Sequence, residues 1–231
     1  MRLGFRYAKG LREEAGRGIE AERRTAPFAS LADFARRTGL RQSELDSLAH
    51  IGALGAFDLQ RREALWQVSG IETDPRSLIA RVEAAEEASP LPDMTPVEET
   101  LADYAGTSLT VGPHLLRHLR PRLRSRGVLS AAELRGARDG SFVLIAGHVI
   151  VRQRPGTAKG FLFLTLEDET GTANAVITPK TFEQNRALLH TAPILLIEGV
   201  VQNVDSVIHV RGRRFERVAI DAPTPPSHDF H

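Results

Sequence analysis

Two spacings divide the chain. Up to about residue 140 the apolar positions recur every three or four residues, the repeat of an amphipathic helix; from Phe142 onward they alternate, the repeat of a strand. In the first part Leu11, Ala15 and Ile19 fall on one helical stripe, with Arg12, Glu13, Arg17 and Glu20 between them. Ser30 predicts an N-cap for a helix over Leu31 to Arg37, and Ser43 one for Glu44 to His50. Asp58 stands where it would cap a further helix carrying Arg61, Arg62, Leu65 and Trp66. Arg76 to Glu87 also reads as helical. Thr95-Pro96-Val97-Glu98 is a capping box with proline at the first helical position. A basic helix starts at Gly112-Pro113-His114 and continues through Arg126; Ser130 caps a short one that ends at Asp139-Gly140.

The alternating part predicts strands over Phe142 to Arg152, Phe161 to Glu167 and Thr172 to Thr178, the last two joined by the turn Asp168-Glu169-Thr170-Gly171. A helix follows over Pro179 to Leu189, then strands over Ile194 to Gln202 and Ser206 to Arg213. Three strands, a helix and two strands is the order of the oligonucleotide-binding (OB) barrel. In the first part, Ile51-Gly52-Ala53-Leu54-Gly55 between two short helices has the form of a helix–hairpin–helix, whose glycines allow close approach and whose following helix N-terminus can hold a phosphate. The same glycines also suit helix C-caps in a packed bundle. The expected fold is α+β in two domains: an all-α helix–hairpin–helix bundle over 1–69 and a five-stranded OB-fold β-barrel with one helix over 141–218. An acidic helical linker and basic bridging helices over 70–140 join them. The tail over 219–231 is expected to be disordered, being rich in proline.

Charge sharpens this picture because it is uneven. The net charge is only +1, yet Glu72 to Asp103 sums to −7 and Arg117 to Asp139 to +5. A chain so patterned can meet a polyanion on one face. There is no cysteine, which removes disulfides, thiol nucleophiles and thiolate metal sites and suits a reducing, cytoplasmic setting. No apolar run is long enough for a membrane span or a secretory signal. Met1 leads straight into patterned sequence, as expected of the tail of a longer protein, whether a natural fragment, a split gene or an internal start.

The strand over Phe161 to Leu166 carries the candidate chemistry. Leu162, Leu164 and Leu166 share one face; Phe161, Phe163 and Thr165 share the other. Outward phenylalanines beside Arg152, Arg154 and Lys159 would supply stacking faces for bases and cations for phosphates. The alternative is that the two rings pack beneath a loop or helix. In the helical half Lys9, Gly10, Gly52, Gly55, Arg61 and Arg62 are the candidates for holding duplex phosphate. No catalytic constellation emerges: the histidines show no metal-ligand spacing and no nucleophile-elbow motif is present. Glu167, Asp168 and Glu169 could attract a cation, but neighbours in a strand point apart and the Asp suits the turn. No metal or cofactor is therefore assigned to this stretch.

Several runs carry a family resemblance. Arg2-Leu-Gly-Phe-Arg-Tyr-Ala-Lys-Gly-Leu-Arg-Glu-Glu-Ala15, Ile51-Gly-Ala-Leu54, Thr95 to Tyr104, Arg152-Gln-Arg-Pro-Gly-Thr-Ala-Lys-Gly160 and Leu166-Glu-Asp-Glu-Thr-Gly-Thr-Ala-Asn174 resemble the C-terminal region of bacterial error-prone C-family DNA polymerases. These are relatives of the replicative polymerase III α subunit. The resemblance implies a helix–hairpin–helix region that grips primer–template duplex and an OB module near the single strand. It also implies damage-induced translesion synthesis beside an accessory Y-family-like protein and the sliding clamp. The parent enzymes are DNA-directed DNA polymerases using Mg²⁺, but their catalytic palm has no counterpart here, so this chain is not expected to polymerise by itself. The OB segment also resembles the anticodon-binding barrels of class II aminoacyl-tRNA synthetases, where a base-stacking phenylalanine and a strand-three polar residue correspond to Phe163 and Asn174. A protein-interaction module docking accessory factors is the competing expectation, and a free-standing tRNA-binding domain is disfavoured by the helix–hairpin–helix half.

Overall fold

The computed structural model describes residues 3–71, 89–204, 207–220 and 228–229, which fall into two compact units, 1–112 and 113–231. The expected helix over Arg76 to Glu87 and most of the proline-rich tail lie outside the described residues.

In the first unit the helices are α1 (Glu13–Thr25), α2 (Leu31–Thr38), α3 (Gln42–His50), α4 (Arg61–Ser69) and α5 (Pro96–Thr107). Leu45, Leu48, Ala49, Ala64 and Val68 are buried where α3 packs on α4, with Ile19 and Phe34 closing the core. Two caps form as expected: Ser30 Oγ accepts from Asp33 N (3.1 Å), and the Thr95–Glu98 box is complete, with Glu98 Oε2 accepting from Thr95 N at 2.7 Å. Two do not. Helix α3 begins a residue before Ser43, and Glu44 caps it from inside by accepting from Arg41 N (2.9 Å). Asp58 ends the preceding turn in a left-handed conformation (φ 59°), and α4 starts after Gln60, whose N–H is taken by Glu63.

Glu44 does more than cap. Its side chain is buried, and its two oxygens also accept from Arg12 N, Nε and Nη2 at 3.2, 2.8 and 2.9 Å, tying the start of α1 to the start of α3. The Arg12 guanidinium, reinforced by the backbone N–H groups, holds the Glu44 carboxyl down from its ordinary 4.5 to about 2. A depressed carboxyl contributes stability that is complete above its unfolded value and is lost as pH falls through the folded one. Wild-type unfolding free energy should therefore drop between about pH 4.5 and pH 2 by up to roughly 3 kcal/mol from this group. Glu44→Gln should be less stable at neutral pH and lose less over that window in denaturant titrations. Parallel pH curves for the two proteins would refute this role.

The second unit holds α6 (Leu115–Ser125), β1 (Val128–Leu129), α7 (Ala131–Leu134), β2 (Phe142–Gln153), β3 (Leu162–Asp168), β4 (Gly171–Ile177), α8 (Pro179–Gln184), α9 (Arg186–Thr191), β5 (Ile194–Val204), β6 (Val207–Arg217) and β7 (His228–Asp229). The expected single helix is two short ones, split at Asn185. Barrel order is β3–β4–β6–β5–β2, and β2 closes it. The first half of β2 pairs with β5 and the second half with β3, both antiparallel; β4 meets β6 in parallel over only three positions, Asn174 to Val176 against His209 to Arg211. Inside lie Ile145, Val149, Leu164, Leu166, Ile177, Leu195, Ile197 and Val210, in one core with Phe182 of α8 and Leu189 of α9. In the tail, which was expected to be disordered, His228–Asp229 pairs in parallel with Val151–Arg152.

Asp168 continues the inward series of Leu162, Leu164 and Leu166 and is buried at the end of β3. Its Oδ2 accepts from Arg120 Nη2 and Ala131 N, both at 2.8 Å; its Oδ1 accepts from Thr170 N and Oγ1, both at 2.7 Å. One carboxylate thus joins α6, the start of α7 and the β3–β4 turn, while Glu169 takes the Nε side of the same arginine.

Candidate nucleic-acid interface

The alternation of β3 is realised in three dimensions. Leu162, Leu164 and Leu166 are each below 5% exposed, whereas Phe163 is 38% exposed and Phe161 half-buried. Phe163 pairs in register with Val176 on β4, and Val176 in turn faces Arg211 on β6. Phe161, Phe163, Asn174, Val176, Val207 and His209 form the floor and walls of an apolar cleft of about 560 Å³, with Thr157, Ala158 and Lys159 on its lip. Lys159 is exposed and held in the left-handed region (φ 50°), followed by Gly160 at φ 83°, so the loop turns sharply at the cleft mouth. Asn174 is exposed, with its Oδ1 accepting from Thr165 Oγ1 (3.1 Å), which leaves its amide donors directed elsewhere. Gln202 Oε1 accepts from His209 Nε2 at 3.2 Å, fixing that imidazole on the opposite side.

Arg152 is a correction. Counting by twos from the buried Val149 puts it outside, but a bulge between Val149 and Val151 shifts the register and turns it inward, opposite Leu164. There its guanidinium is buried and donates to the Leu189 (2.9 Å) and Ala192 carbonyls, capping the end of α9 instead of meeting a phosphate. Arg154 lies 4.5 Å over the Phe182 ring and 3.5 Å from Glu183 Oε1 and is exposed.

The helical candidates separate in the same way. Gly52 adopts φ 73° and makes the turn after α3, and a Cβ there would press on Arg61 Nε. Gly55 sits in the following short turn with open space around it. Arg61 is not available to phosphate: it pairs with Asp103 (2.8 Å) and donates to the His50 and Glu99 carbonyls, staying largely buried. Arg62 pairs with Glu98 (2.7 Å) and donates to the Pro92 carbonyl. Both bind α5, whose placement no local spacing revealed. Lys9 remains exposed beside Gly10 (φ 81°), its N–H donating to the Gly106 carbonyl (2.8 Å).

Val176, Val207 and His209 line the cleft and were not singled out by strand periodicity alone. Their place depends on the parallel β4–β6 closure, which only the folded barrel shows. Of the acids at 167–169, Asp168 and Glu169 are taken by Arg120, and among the described residues no cluster of three or more His, Asp or Glu could hold a metal ion. Among the described residues no helix is long and apolar enough to cross a membrane.

Residues 1–64 match a family described as a helix-hairpin-helix motif, and residues 143–218 match one described as an OB-fold nucleic acid binding domain. An error-prone DNA polymerase from Caulobacter vibrioides is 42% identical over 220 residues, which is 93% of this chain and 20% of that protein. One from Anaeromyxobacter sp. (strain K) is 38% identical over 232 residues, all of this chain and again 20% of that protein. The chain is a homologue of error-prone DNA polymerases. It spans about a fifth of the length of the curated polymerases it matches. Among solved structures, an asparaginyl-tRNA synthetase from Pyrococcus horikoshii aligns with 43% of this chain and 23% of its own, at 23% identity and a TM-score of 0.35. In this polymerase homologue the two family matches coincide with the helical unit and with the barrel, and the cleft lies on the barrel's β3–β4 side, where OB folds carry their usual binding face.

Proposed function

We propose that this chain is a DNA-holding portion of an error-prone polymerase, binding single strand on the barrel and primer–template duplex through the helix–hairpin–helix unit. The observation that carries it is the outward pair Phe161 and Phe163 over an apolar cleft with Lys159 at its lip. Phe163, and secondarily Phe161, stack on bases; Lys159 and Arg154 neutralise backbone; Asn174 hydrogen-bonds a base or sugar. On the helical unit the duplex contacts fall to Lys9 and to the backbone around Gly10 and Gly52, since Arg61 and Arg62 are spent internally. The setting is cytoplasmic translesion synthesis after DNA damage, alongside an accessory Y-family-like protein and the sliding clamp, with polymerisation and its Mg²⁺ supplied by parts of the polymerase that this stretch lacks.

Binding of the purified chain to a fluorescent oligothymidylate tests this. Log affinity should fall linearly with log salt, with a slope of about −0.7 per phosphate contact, because each contact releases a counterion from single strand. Absence of binding at low salt would remove the reading. Salt-insensitive capture of a protein partner without DNA affinity would favour the interaction-module alternative instead.

A further inference from the structure

The strand registers place one continuous row of residues around the outside of the barrel. Phe163 faces Val176, Val176 faces Arg211, Arg211 faces Val200, and Val200 faces Phe142. Directly opposed residues send their side chains to the same face of a sheet. Exposure agrees: Phe163, Arg211 and Phe142 are exposed and the valines between them half-buried, while the next residues along, Leu164, Ala175, Val210 and Val201, are buried. Four interstrand steps of roughly 4.8 Å carry the row about 19 Å around the barrel. It begins at the cleft and ends at Phe142, the most exposed large apolar side chain among the described residues at 65%.

Phe142 is not bare. The Arg213 guanidinium lies 5.1 Å above its ring. Arg213 reaches it because β6 is bulged there: Glu198 faces Arg214 and Gly199 faces Gly212, which leaves Arg213 unmatched and lets two consecutive arginines point outward. Gly199 is integral to the bulge, since a Cβ would collide with the Arg211 carbonyl oxygen. Arg211, Arg213 and Arg214 have no carboxylate partner among the described residues. Arg211 within the row and Arg213 and Arg214 beside it, none in an ion pair among the described residues, together with a phenylalanine at each end, suit a flexible polyanion that bears flat rings along its length. A duplex hides its base faces and offers nothing for the phenylalanines to stack on.

We infer that Phe142 and Arg213 form a second base-stacking platform, and that Arg211 carries backbone phosphate between it and the cleft, so that single-stranded nucleic acid wraps around the barrel. This rests on the single-strand reading of the cleft. The test is anisotropy of the whole chain with an oligothymidylate of about 16 nucleotides, the upper end of what one OB fold covers. Phe142→Ala should weaken binding at least about 5-fold, as loss of a stacked base does, while Phe142→Trp should retain it. Arg211→Gln should make the salt slope shallower by about 0.7, the share of one phosphate contact on single strand. Thermal melting checks that these surface variants are folded. If Phe142→Ala and Arg213→Gln bind like wild type while Phe163→Ala is weakened, the wrapped path is wrong and the cleft stands. If Phe163→Ala is also unaffected, both fall. A loss that Phe142→Trp does not restore would overturn the platform too, because it would owe nothing to a ring face.

Discussion

Phe163→Ala should weaken binding of the chain to single-stranded DNA by about 5- to 150-fold, the 1–3 kcal/mol that a base–aromatic stack is worth. The ring stands on the outer face of β3 with the leucines beneath it already packed, so its removal opens no internal cavity. Thermal stability should accordingly change little, and that contrast separates stacking from structure. Tyr or Trp at the position should keep most of the affinity, since either presents a comparable π-face. Unchanged binding by a folded Phe163→Ala protein would end the assignment of the cleft to bases.

Asp168→Ala should destabilise the barrel unit by roughly 3–5 kcal/mol, because it strips a buried carboxylate from a buried arginine. The loss compounds: Arg120 keeps only Glu169, and the N–H groups of Ala131 and Thr170 lose their acceptor. In a unit of this size such a deficit should lower the melting temperature by about 10 °C or more. Denaturation of the variant at the wild-type midpoint would show that the carboxylate is dispensable. Glu44→Gln in the other unit is expected to cost less, since its partner Arg12 is partly exposed and can recover water.

These two residues show what the linear chain makes visible. The outward face of β3 was legible because six alternating residues and a following turn leave one way to bury three leucines. Thr95 to Glu98 was legible because a capping box is entirely local. Asp168 has the parity of the leucines before it, yet its role lies in α6 and α7, some forty residues earlier, and spacing cannot supply such partners. Arg152 and Lys159 belong to one basic run, but a single extra residue in β2 sends the first inward to helix carbonyls and leaves the second at the surface. Arg61 and Arg62 face out of an isolated α4 and became internal only when α5 arrived. What escaped detection in every case is a partner distant in sequence.

The three-position ladder between β4 and β6 has a consequence of its own. Everywhere else the barrel wall is laced by longer stretches of paired backbone, so this seam is where it would part first under strain. The cleft lies across it, with Asn174 and Val176 on one bank and His209 on the other. Whatever settles there touches both banks, and so acts as a rivet for the wall as well as a cargo on it.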